Sequence, residues 1–501
     1  MALDPLVLIP AGAATLGALV CLGAEAFLSQ ARKHLVLPWT GAAFLLAGLI
    51  ATALLVMAGG SHAMAGLFVL DAGRGWLVAA ILAAGLIGIA GIQHSLGRDR
   101  YPGGEPYALA LFAVAGAALM AQSVNTLALF TALEIASLSV YALVGLRRHR
   151  AESNEGLFKY FVMGAVFSAV FLYGTALAYG ATGTTAFGAR PLAGREALWQ
   201  LGHGLMAIGL LFKVGAVPFH AWSPDAYTGA PVAVTGLMGA VIKVGGFAAL
   251  ATLWAGMCQV ANGGSGVPAL TAWMQLSPEA MRLLLPFATV FMILALLSIA
   301  LGNLAALAQT SVRRIVAYSS IAQAGYLLFA FALPMTGAAV SLGTMVVYLV
   351  AYALATAAAL TAVAGLAGGD DAQDDVASLA GQGRTHPLHG LVLTVALVAT
   401  AGLPPTLGFI GKFGILADLV ARGHLWLALA AIALSVVGAA YYLRLAVAIW
   451  VAEPKRDALA GPGLLASWAM ALAAIALIAL IALPNAIAPA APAKPAPAAI
   501  R

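Results

Sequence analysis

The sequence predicts an all-α polytopic membrane protein with about 14 transmembrane helices. The chain has 501 residues, of which 63% are hydrophobic and only 8% are charged, whereas a soluble domain has about 25% charged residues. Apolar runs long enough to cross about 30 Å of hydrocarbon recur along the whole chain. They are centred near residues 17, 47, 85, 114, 134, 169, 209, 243, 294, 324, 351, 400, 437 and 474.

The same composition excludes several functional classes. The net charge of +6 does not indicate nucleic-acid binding, because the basic residues lie in short loops. Cys21 and Cys258 are the two cysteines, and they form neither a metal-binding nor a disulfide pattern. We find no phosphate-binding loop, dinucleotide fingerprint or iron–sulfur motif, so we expect neither ATP hydrolysis nor electron transfer within the chain. Residues 6–27 lack a cleavage site and are predicted to be the first transmembrane helix.

Two of the apolar runs are interrupted by prolines, at residues 217–225 and 402–405. Proline removes a backbone donor and clashes with the preceding turn, so each run should contain a broken helix. Such breaks occur at membrane depth where the freed backbone groups are buried in protein or line a wet cavity. Paired interruptions in the two halves of a chain are typical of inverted repeats. The sequence therefore predicts two inverted five-helix repeats, each with a broken helix.

These repeats set the predicted boundaries of the chain. The longest non-helical stretch, residues 368–386, contains four aspartates and has too little apolar surface to form a domain. The predicted segments are residues 1–104 with helices 1–3, residues 105–260 with helices 4–8 as the first repeat, residues 280–452 with helices 9–13 as the second repeat, residues 460–484 as the last helix, and a Pro/Ala-rich tail at 485–501.

The distribution of basic residues predicts the orientation. Loops on one side hold thirteen of the 24 lysines and arginines, loops on the side of both termini hold seven, and four lie in or at the ends of helices. Cytoplasmic loops of membrane proteins carry the excess of basic residues. Both termini are therefore predicted to lie outside the cytoplasm.

Four charged residues lie inside the apolar runs: Glu134, Lys213, Lys243 and Lys412. One charge at the bilayer centre costs about 2.5–3.5 kcal/mol on insertion scales, so such residues commonly mark ion or proton paths. A buried lysine facing a partner that moves or changes charge can exchange a proton. We predict that Glu134 and Lys213 interact across two helices, that Lys243 takes up the proton, and that Lys412 passes it to an exit. The alternative is that each lysine snorkels to the interface or pairs statically.

Further polar residues are candidates for a proton relay. His220 and Asp225 lie in the first break, and Gln323 and Tyr326 lie in a later apolar helix. The first two could instead cap the broken helix ends. The other two could instead hydrogen-bond between helices, so both interpretations stay open.

Three other features are weaker signals. His386 and His389 begin a helix near the predicted aqueous end of a channel. Arg444 lies near a helix end, where snorkelling is expected. The pair at residues 313–314 begins a helix and reads as a cytoplasmic anchor.

At residues 211–231 the run LFKVGAVPFHAWSPDAYTGAP resembles the signature of the antiporter-like subunits of respiratory complex I. The triplet at 227–229, YTG, is similar to that of the N-type members. The resemblance covers about residues 105–450. Four other stretches agree with it in order: LEIASLSVYAL around residue 134, FKYFVMGAVFSAVFLYGTALAYGATG from 158, GNLAALAQTSVRRIVAYSSIAQAGY from 302, and THPLHGLVLTVALVATAGLPPTLGFIGKF from 385.

The resemblance implies roles for the four buried charges. Glu134 matches the family's helix-five glutamate, Lys213 its helix-seven lysine, Lys243 its central lysine and Lys412 its helix-twelve lysine. In the family these residues form a hydrated polar axis through the middle of the membrane. One departure is Gln323, where family members often have histidine, because glutamine cannot take up a proton.

The resemblance also implies a proton-translocating subunit of the bacterial inner membrane, with both termini in the periplasm. It implies a hetero-oligomer with other membrane-arm subunits, in contact with lipid, in which electrons pass from NADH to quinone elsewhere. NADH, FMN, iron–sulfur clusters and quinone are then expected in partner subunits, with no cofactor or metal in this chain. The alternatives are a Mrp-type cation/proton antiporter subunit, the membrane subunit of a related hydrogenase or formate-oxidising complex, and a scaffold bundle without transport.

Overall fold

The computed structural model describes residues 3–99, 101–268, 276–333, 343–368, 371, 373–454 and 463–482. These residues form eighteen α-helices and one hairpin, in which β1 (His62–Met64) pairs antiparallel with β2 (Phe68–Leu70). The helices are α1 (Ile9–Glu25), α2 (Gln30–Ala58), α3 (Ala72–Arg98), α4 (Glu105–Gln122), α5 (Thr126–Val144), α6 (Ala151–Thr182), α7 (Glu196–Val214), α8 (Trp222–Gly229), α9 (Val232–Leu237), α10 (Lys243–Ala261), α11 (Pro278–Leu307), α12 (Val312–Leu328), α13 (Gly343–Leu366), α14 (Gln382–Thr385), α15 (Pro387–Ala401), α16 (Leu407–Ala421), α17 (Leu425–Val451) and α18 (Leu464–Ala479).

The predicted fold class is confirmed, since every one of the predicted apolar runs contains a helix. Among the described residues, 12 helices are long and apolar enough to cross a membrane. One of them is the continuous stretch Val232–Ala261, in which the π-helical turn Met238–Ile242 joins α9 to α10. The two remaining runs are α12, which has 17 residues, and the run near residue 400, which is divided into α15 and α16.

Both predicted interruptions are helix breaks that begin with a glycine. α7 ends at Gly215 with φ +69°, and α15 ends at Gly402 with φ +79°, a left-handed conformation that residues with a Cβ rarely adopt. In the first break, the freed amide of Val217 donates to Ser298 Oγ at 2.9 Å. In the second, Thr406 caps α16 by accepting a hydrogen bond from the amide of Phe409.

The helices differ greatly in burial. Val232–Ala261 and α13 are fully buried, whereas α2, α6 and α17 are only 28% buried over their most apolar windows. Exposed leucine, isoleucine, valine and phenylalanine side chains cover the outer helices. A surface of this kind suits lipid or another membrane subunit, and it leaves α10 and α13 as the inner helices of the bundle.

Several predicted features fall on or beyond the edges of the described chain. The tail at 485–501 lies outside the described residues, as do five basic residues used for the orientation and one of the four loop aspartates. They are Arg100, Lys455, Arg456, Lys494, Arg501 and Asp370.

Candidate functional site

The three buried lysines are each held by oxygen atoms near a helix irregularity. Lys213, Lys243 and Lys412 are 2%, 2% and 6% exposed. Lys213 lies two residues before Gly215, where α7 breaks. Its Nζ donates to Ser137 Oγ on α5 at 2.5 Å. The aromatic rings of Tyr141 and Tyr160 flank the same ammonium, with centroids 5.5 and 5.4 Å away, a favourable arrangement for a cation.

Glu134 lies on the same helix as Ser137 but does not contact Lys213 directly. Its carboxylate accepts a hydrogen bond from Ser168 Oγ on α6 at 2.5 Å. Among the described residues, no ion pair joins Glu134 to Lys213. The predicted interaction between them therefore stays a prediction, and any contact passes through an intermediate group.

A small cavity lies beside Lys213, next to the serine that binds Glu134. Its volume is about 10 Å³, which is close to the space that one water molecule needs. Lys213 and Ser168, the partner of Glu134, both line it. A single water there could connect the carboxylate side to the ammonium. The lining residues are Leu133, Gly164, Phe167, Ser168, Gly209, Phe212 and Lys213.

Lys243 is the first residue of α10 and follows the π-helical turn directly. Such turns are rare and often occur at functional sites. Its Nζ donates to the carbonyl oxygen of Ser320 at 2.8 Å and to Ser320 Oγ at 2.7 Å, both on α12. A Cβ on Gly215 would lie 3.7 Å from this Nζ, so the ammonium packs against the first helix break.

Lys412 lies on α16 and binds the end of α15 across the second break. Its Nζ donates to the carbonyls of Ala401 at 3.0 Å and Thr400 at 3.3 Å. The last carbonyls of a helix have no partner within the helix, so they are free to accept these bonds. The ammonium also lies 4.6 Å from the centroid of the Tyr326 ring.

Gln323 connects the surroundings of two lysines. Its Nε2 donates at 3.0 Å to the carbonyl of Thr400, the same oxygen that Lys412 binds. The same Nε2 lies 3.0 Å from the hydroxyl of Tyr442, and the Tyr348 hydroxyl donates to Oε1. Glutamine is therefore a fully bonded hydrogen-bonding centre at this position.

The other end of this network reaches Lys243. The Tyr442 hydroxyl is hydrogen-bonded to Ser319 Oγ, and Ser319 is adjacent in the chain to Ser320, which binds Lys243. Polar groups thus follow one another from Lys243 to Lys412. The sequence indicates Ser319 and Ser320 only as polar groups of an apolar helix, suited either to hydrogen bonds between helices or to a water wire. It gives no signal for Tyr348 and Tyr442, because polar side chains are common where membrane helices pack.

The other candidate relay residues have separate surroundings. His220 is half-buried in the first break, and its Nδ1 has no hydrogen-bond partner within the described part of the chain. Asp225 pairs with Lys159 at 2.7 Å and Arg314 at 3.4 Å in a partly exposed ion-pair cluster. Tyr326 donates from its hydroxyl to the carbonyl of Ala431 at 3.1 Å. These ion pairs give Asp225 a structural role, and its role in a proton relay stays a prediction.

The loop between α13 and α14 contains a buried ion-pair cluster that could not be predicted from the sequence. Asp371 is fully buried, and its carboxylate lies 2.8 Å from Arg147 Nη1 and 3.5 Å from Arg98 Nη2. It also accepts a hydrogen bond at 2.9 Å from the amide of Val232, the first residue of α9. The loop thereby holds the start of the continuous stretch that carries Lys243.

A second aspartate of this loop, Asp374, supports the turn between α8 and α9 through Arg313. Asp374 accepts from Arg313 Nε at 2.8 Å, and Arg313 Nη1 donates to the carbonyls of Thr228 and Ala230 at 2.8 and 2.9 Å. Arg313 is 6% exposed. Arg313 therefore connects the loop before α14 to the end of α8 inside the protein, and its location on the cytoplasmic side stays a prediction. Arg444 is exposed and donates to the carbonyls of Leu307 and Gln309, so it caps α11.

Two further features complete the site. The part of the chain that the structure describes contains no group of three His, Cys, Asp or Glu residues suited to a metal ion. An apolar groove of about 840 Å³ lies between α16 and α17, with Lys412 in its lining and the exposed side chains of Phe413 and Val436 on its walls.

Comparisons with known proteins agree on one family. The family model described as NADH:quinone oxidoreductase/Mrp antiporter, TM, matches residues 123–263 and 269–438. A protein named NADH-quinone oxidoreductase subunit N 2, from Rhizobium meliloti, is 34% identical over 454 residues, which is 88% of this chain and 87% of the relative. A subunit N 1 from Sorangium cellulosum is 38% identical over 361 residues, covering 70% of this chain and 68% of the relative.

Solved structures give the same fold. A chain of respiratory complex I from Thermus thermophilus, with bound aureothin, has a TM-score of 0.77 and 30% identity, and the match covers 96% of this chain and 99% of that one. A chain of the Mrp complex from Dietzia has a TM-score of 0.76 at 18% identity, covering 97% and 96%. The second similarity is evidence of the fold alone.

Proposed function

The chain belongs to the NADH:quinone oxidoreductase/Mrp antiporter family, and we propose that it is the proton-translocating subunit N of the membrane arm of a bacterial NADH–quinone oxidoreductase. Relatives named subunit N match most of its length. NADH, FMN, iron–sulfur clusters and quinone then bind in partner subunits, which transfer the electrons. This multi-pass chain contributes the proton path and works only as part of the hetero-oligomeric complex.

The observation that best supports the proposal is the network of polar groups between Lys243 and Lys412. Two lysines that would otherwise be isolated charges share neighbouring hydrogen-bond partners. Carbonyl and amide groups cannot take up a proton under these conditions. In our proposal they orient the ammonium groups and water, while hydroxyls, water and the lysines themselves pass the proton.

We propose that the path begins at Glu134 and Lys213 and continues through Lys243 to Lys412. A change in the charge of Glu134 would alter the affinity of Lys213 for its proton through the electric field between the two groups. Lys213 would then release a proton towards Lys243, whose ammonium lies at the same helix break. The relay roles of His220, Asp225, Gln323 and Tyr326 are part of this proposal, with Gln323 acting by orientation rather than titration.

Purification from native membranes tests the assignment of the complex. We expect subunits that bind NADH and iron–sulfur clusters to co-purify with this chain, and vesicles containing the complex to form a proton gradient when supplied with NADH. Co-purification with small antiporter subunits would instead support a Mrp-type antiporter. Nickel-hydrogenase or formate-oxidising subunits would support the third alternative, and a complex that never builds a gradient would support a scaffold.

We also propose that the chain lies in the bacterial inner membrane with both termini in the periplasm. Cysteines introduced as Arg148→Cys and Lys494→Cys can be labelled with a membrane-impermeant thiol reagent on intact cells. We expect labelling at position 494 and none at 148, and the reverse pattern would overturn the orientation. The native Cys21 and Cys258 are buried and should give little background.

Two inverted repeats, at residues 105–260 and 280–452, remain our proposal for the domain organisation. It is supported by the position of the breaks, because α7–α8 and α15–α16 are each the fourth transmembrane segment of their repeat. Cryo-electron microscopy of the assembled complex tests it: a rotation about an axis in the membrane plane should superpose the two segments. A relation by translation alone would contradict it.

A further inference from the structure

Three histidines lie together at the ends of α3 and α15, outside the Glu/Lys path. His94 is near the end of α3, His386 precedes α15, and His389 lies in its first turn. The ring centroids of His94 and His389 are 6.2 Å apart, and those of His386 and His389 are 5.7 Å apart. We call these three residues the histidine cluster. Under the proposed orientation it lies at the cytosolic end of the bundle.

Two ring nitrogens of the histidine cluster stand out. Nε2 of His94 and Nε2 of His389 are buried and have no hydrogen-bond partner among the residues described. Buried polar side chains are nearly always hydrogen-bonded, so each such exception calls for an explanation. His389 is 2% exposed, and its Nε2 occupies the space that a Cβ on Gly365 of α13 would need. Glycine at position 365 therefore admits the imidazole to the surface of the inner helix.

The charges around the histidine cluster come in balanced pairs. Arg98 and Arg147 form ion pairs with Asp99 and Asp371 beside it. Two positive and two negative charges leave no large net field against a further proton. Burial lowers the pKa of His386, which keeps 8% exposure at the rim. At neutral pH this imidazole is therefore mainly neutral and able to accept a proton.

Polar side chains continue inwards along α13 from the histidine cluster. Thr361, Thr356 and Tyr352 follow one another from Gly365 towards the bundle centre. A Cβ on Gly239, in the π-helical turn before Lys243, would lie 3.2 Å from the Thr356 methyl group and 3.1 Å from the Tyr227 hydroxyl.

The buried hydroxyls of Tyr227 and Tyr352 make no close hydrogen bond in the described ranges, and Ser320, which binds Lys243, is a neighbour of both. These two hydroxyls, one on α8 and one on α13, are suitable sites for water that conducts protons. The polar side chains extend from the histidine cluster to the helix that carries Lys243. They are those of Thr361, Thr356, Tyr352 and Tyr227.

We propose that His94, His386 and His389 form a second proton-collecting site, which supplies Lys243 along the polar side of α13 in addition to the path from Glu134 and Lys213. Imidazole suits this task because each neutral ring has one nitrogen that can accept a proton and one N–H that can donate a proton. A ring nitrogen accepts a proton from a hydronium ion in cytosolic water, so an O–H bond breaks as an N–H bond forms. The ring then gives a proton to water on the α13 side, where an N–H bond breaks and an O–H bond forms. Neither an electron nor another reactant is required. The inference rests on the proposed function, because it needs proton translocation by this chain.

The test compares proton uptake in vesicles energised by NADH, measured from about pH 6 to pH 9 around the histidine pKa. For His94→Gln and His389→Gln we expect the uptake rate to fall at least about threefold at the alkaline end, where protons are scarce, and to approach wild type at the acidic end. The reduction is plausible because positioned proton-transfer groups accelerate such steps by about 10²–10⁴-fold.

His34→Gln is the matched control. His34 also lies at this end of the bundle, but its two ring nitrogens already contact the Tyr107 hydroxyl at 2.8 Å and the Tyr101 carbonyl at 2.6 Å. We expect its pH profile to keep the wild-type shape. If His389→Gln does not assemble, His386→Gln at the rim replaces it.

Wild-type pH profiles in assembled His94→Gln and His389→Gln complexes would overturn the inference. The failure of the proposed function gives a different result, because the wild-type complex itself would then form no gradient with NADH.

Discussion

Lys213 and Lys412 lie beside the two helix breaks, yet their ammonium groups bind different kinds of partner. Lys213 donates to a side-chain hydroxyl, that of Ser137, and Glu134 lies on the same helix as that serine. Lys412 donates to backbone carbonyls of α15 and faces the ring of Tyr326. Within the described ranges, no carboxylate forms an ion pair with Lys412.

The electrostatic environment of Lys213 can therefore change, whereas that of Lys412 is fixed. A carboxylate can gain or lose a proton, so the field at Lys213 can change during a cycle. Carbonyl dipoles and an aromatic ring keep their charge distribution, so the affinity of Lys412 for its proton changes only through geometry or hydration. We infer that Lys213 is the controlled site and that Lys412 responds to it.

The largest expected effect is at the variable site. Glu134→Ala and Lys213→Ala should each reduce NADH-driven proton pumping at least about tenfold, because positioned proton-transfer groups accelerate such steps by about 10²–10⁴-fold. Pumping is measured in vesicles together with electron flow and with the amount of assembled complex. Glu155→Ala is the control, since Glu155 is exposed and pairs with Lys159 at the surface. Normal pumping by either variant would remove that residue from the path.

At Lys412, the expected effect depends on whether this lysine gains and loses a proton. Lys412→Arg keeps the positive charge and can still donate to the two carbonyls, but arginine does not lose its proton in proteins. We expect pumping to fall several-fold in vesicles with normal assembly. Arg444→Lys, a reverse exchange at a side chain that also binds two backbone carbonyls, should leave pumping unchanged. Full gradient formation by Lys412→Arg would rule out proton exchange at that lysine.

The sequence predicted the fold and the charged members of the site for one physical reason. A lysine or glutamate in an apolar run is costly, so it stands out without any structural information. The prolines at 218 and 404–405 likewise predicted the two helix breaks. These signals are local, and a linear pattern contains them completely.

The partners of those charges could not be predicted in the same way. Ser137 and Tyr442 differ in no sequence feature from other polar residues of membrane helices. Asp371 lies 139 positions from the amide that it binds, at Val232, and it reads as an ordinary loop aspartate. The π-helical turn before Lys243 contains Gly239, but glycine is common in this chain, with 56 in 501 residues, and does not distinguish the turn. Such contacts depend on tertiary packing, which a single sequence does not specify residue by residue.

A smaller effect tests whether each lysine is bound by a side chain or by the backbone. Ser137→Ala removes the hydroxyl that binds Lys213, and a hydrogen bond to a charged group contributes about 1.5–3 kcal/mol. Water entering the adjacent cavity can replace part of that contribution, so we expect a loss of pumping of roughly threefold. Thr400→Val should have little effect, because the carbonyl that binds Lys412 belongs to the backbone. Equal losses in the two variants would contradict the distinction between the two lysines.

The smallest expected effect is at Gln323, which decides whether the second half needs a titrating neighbour. Gln323→His would introduce the residue that the resemblance leads one to expect, but neutral imidazole has one donor and one acceptor and would lose one present bond. One net hydrogen bond between uncharged groups contributes as little as about 0.5 kcal/mol, so pumping should change only about twofold. Gln323→Leu, which removes all the bonds, should reduce pumping more. If Gln323→His instead pumped faster than wild type, with a new pH dependence near the histidine pKa, Lys412 would gain a variable partner and its environment would not be fixed.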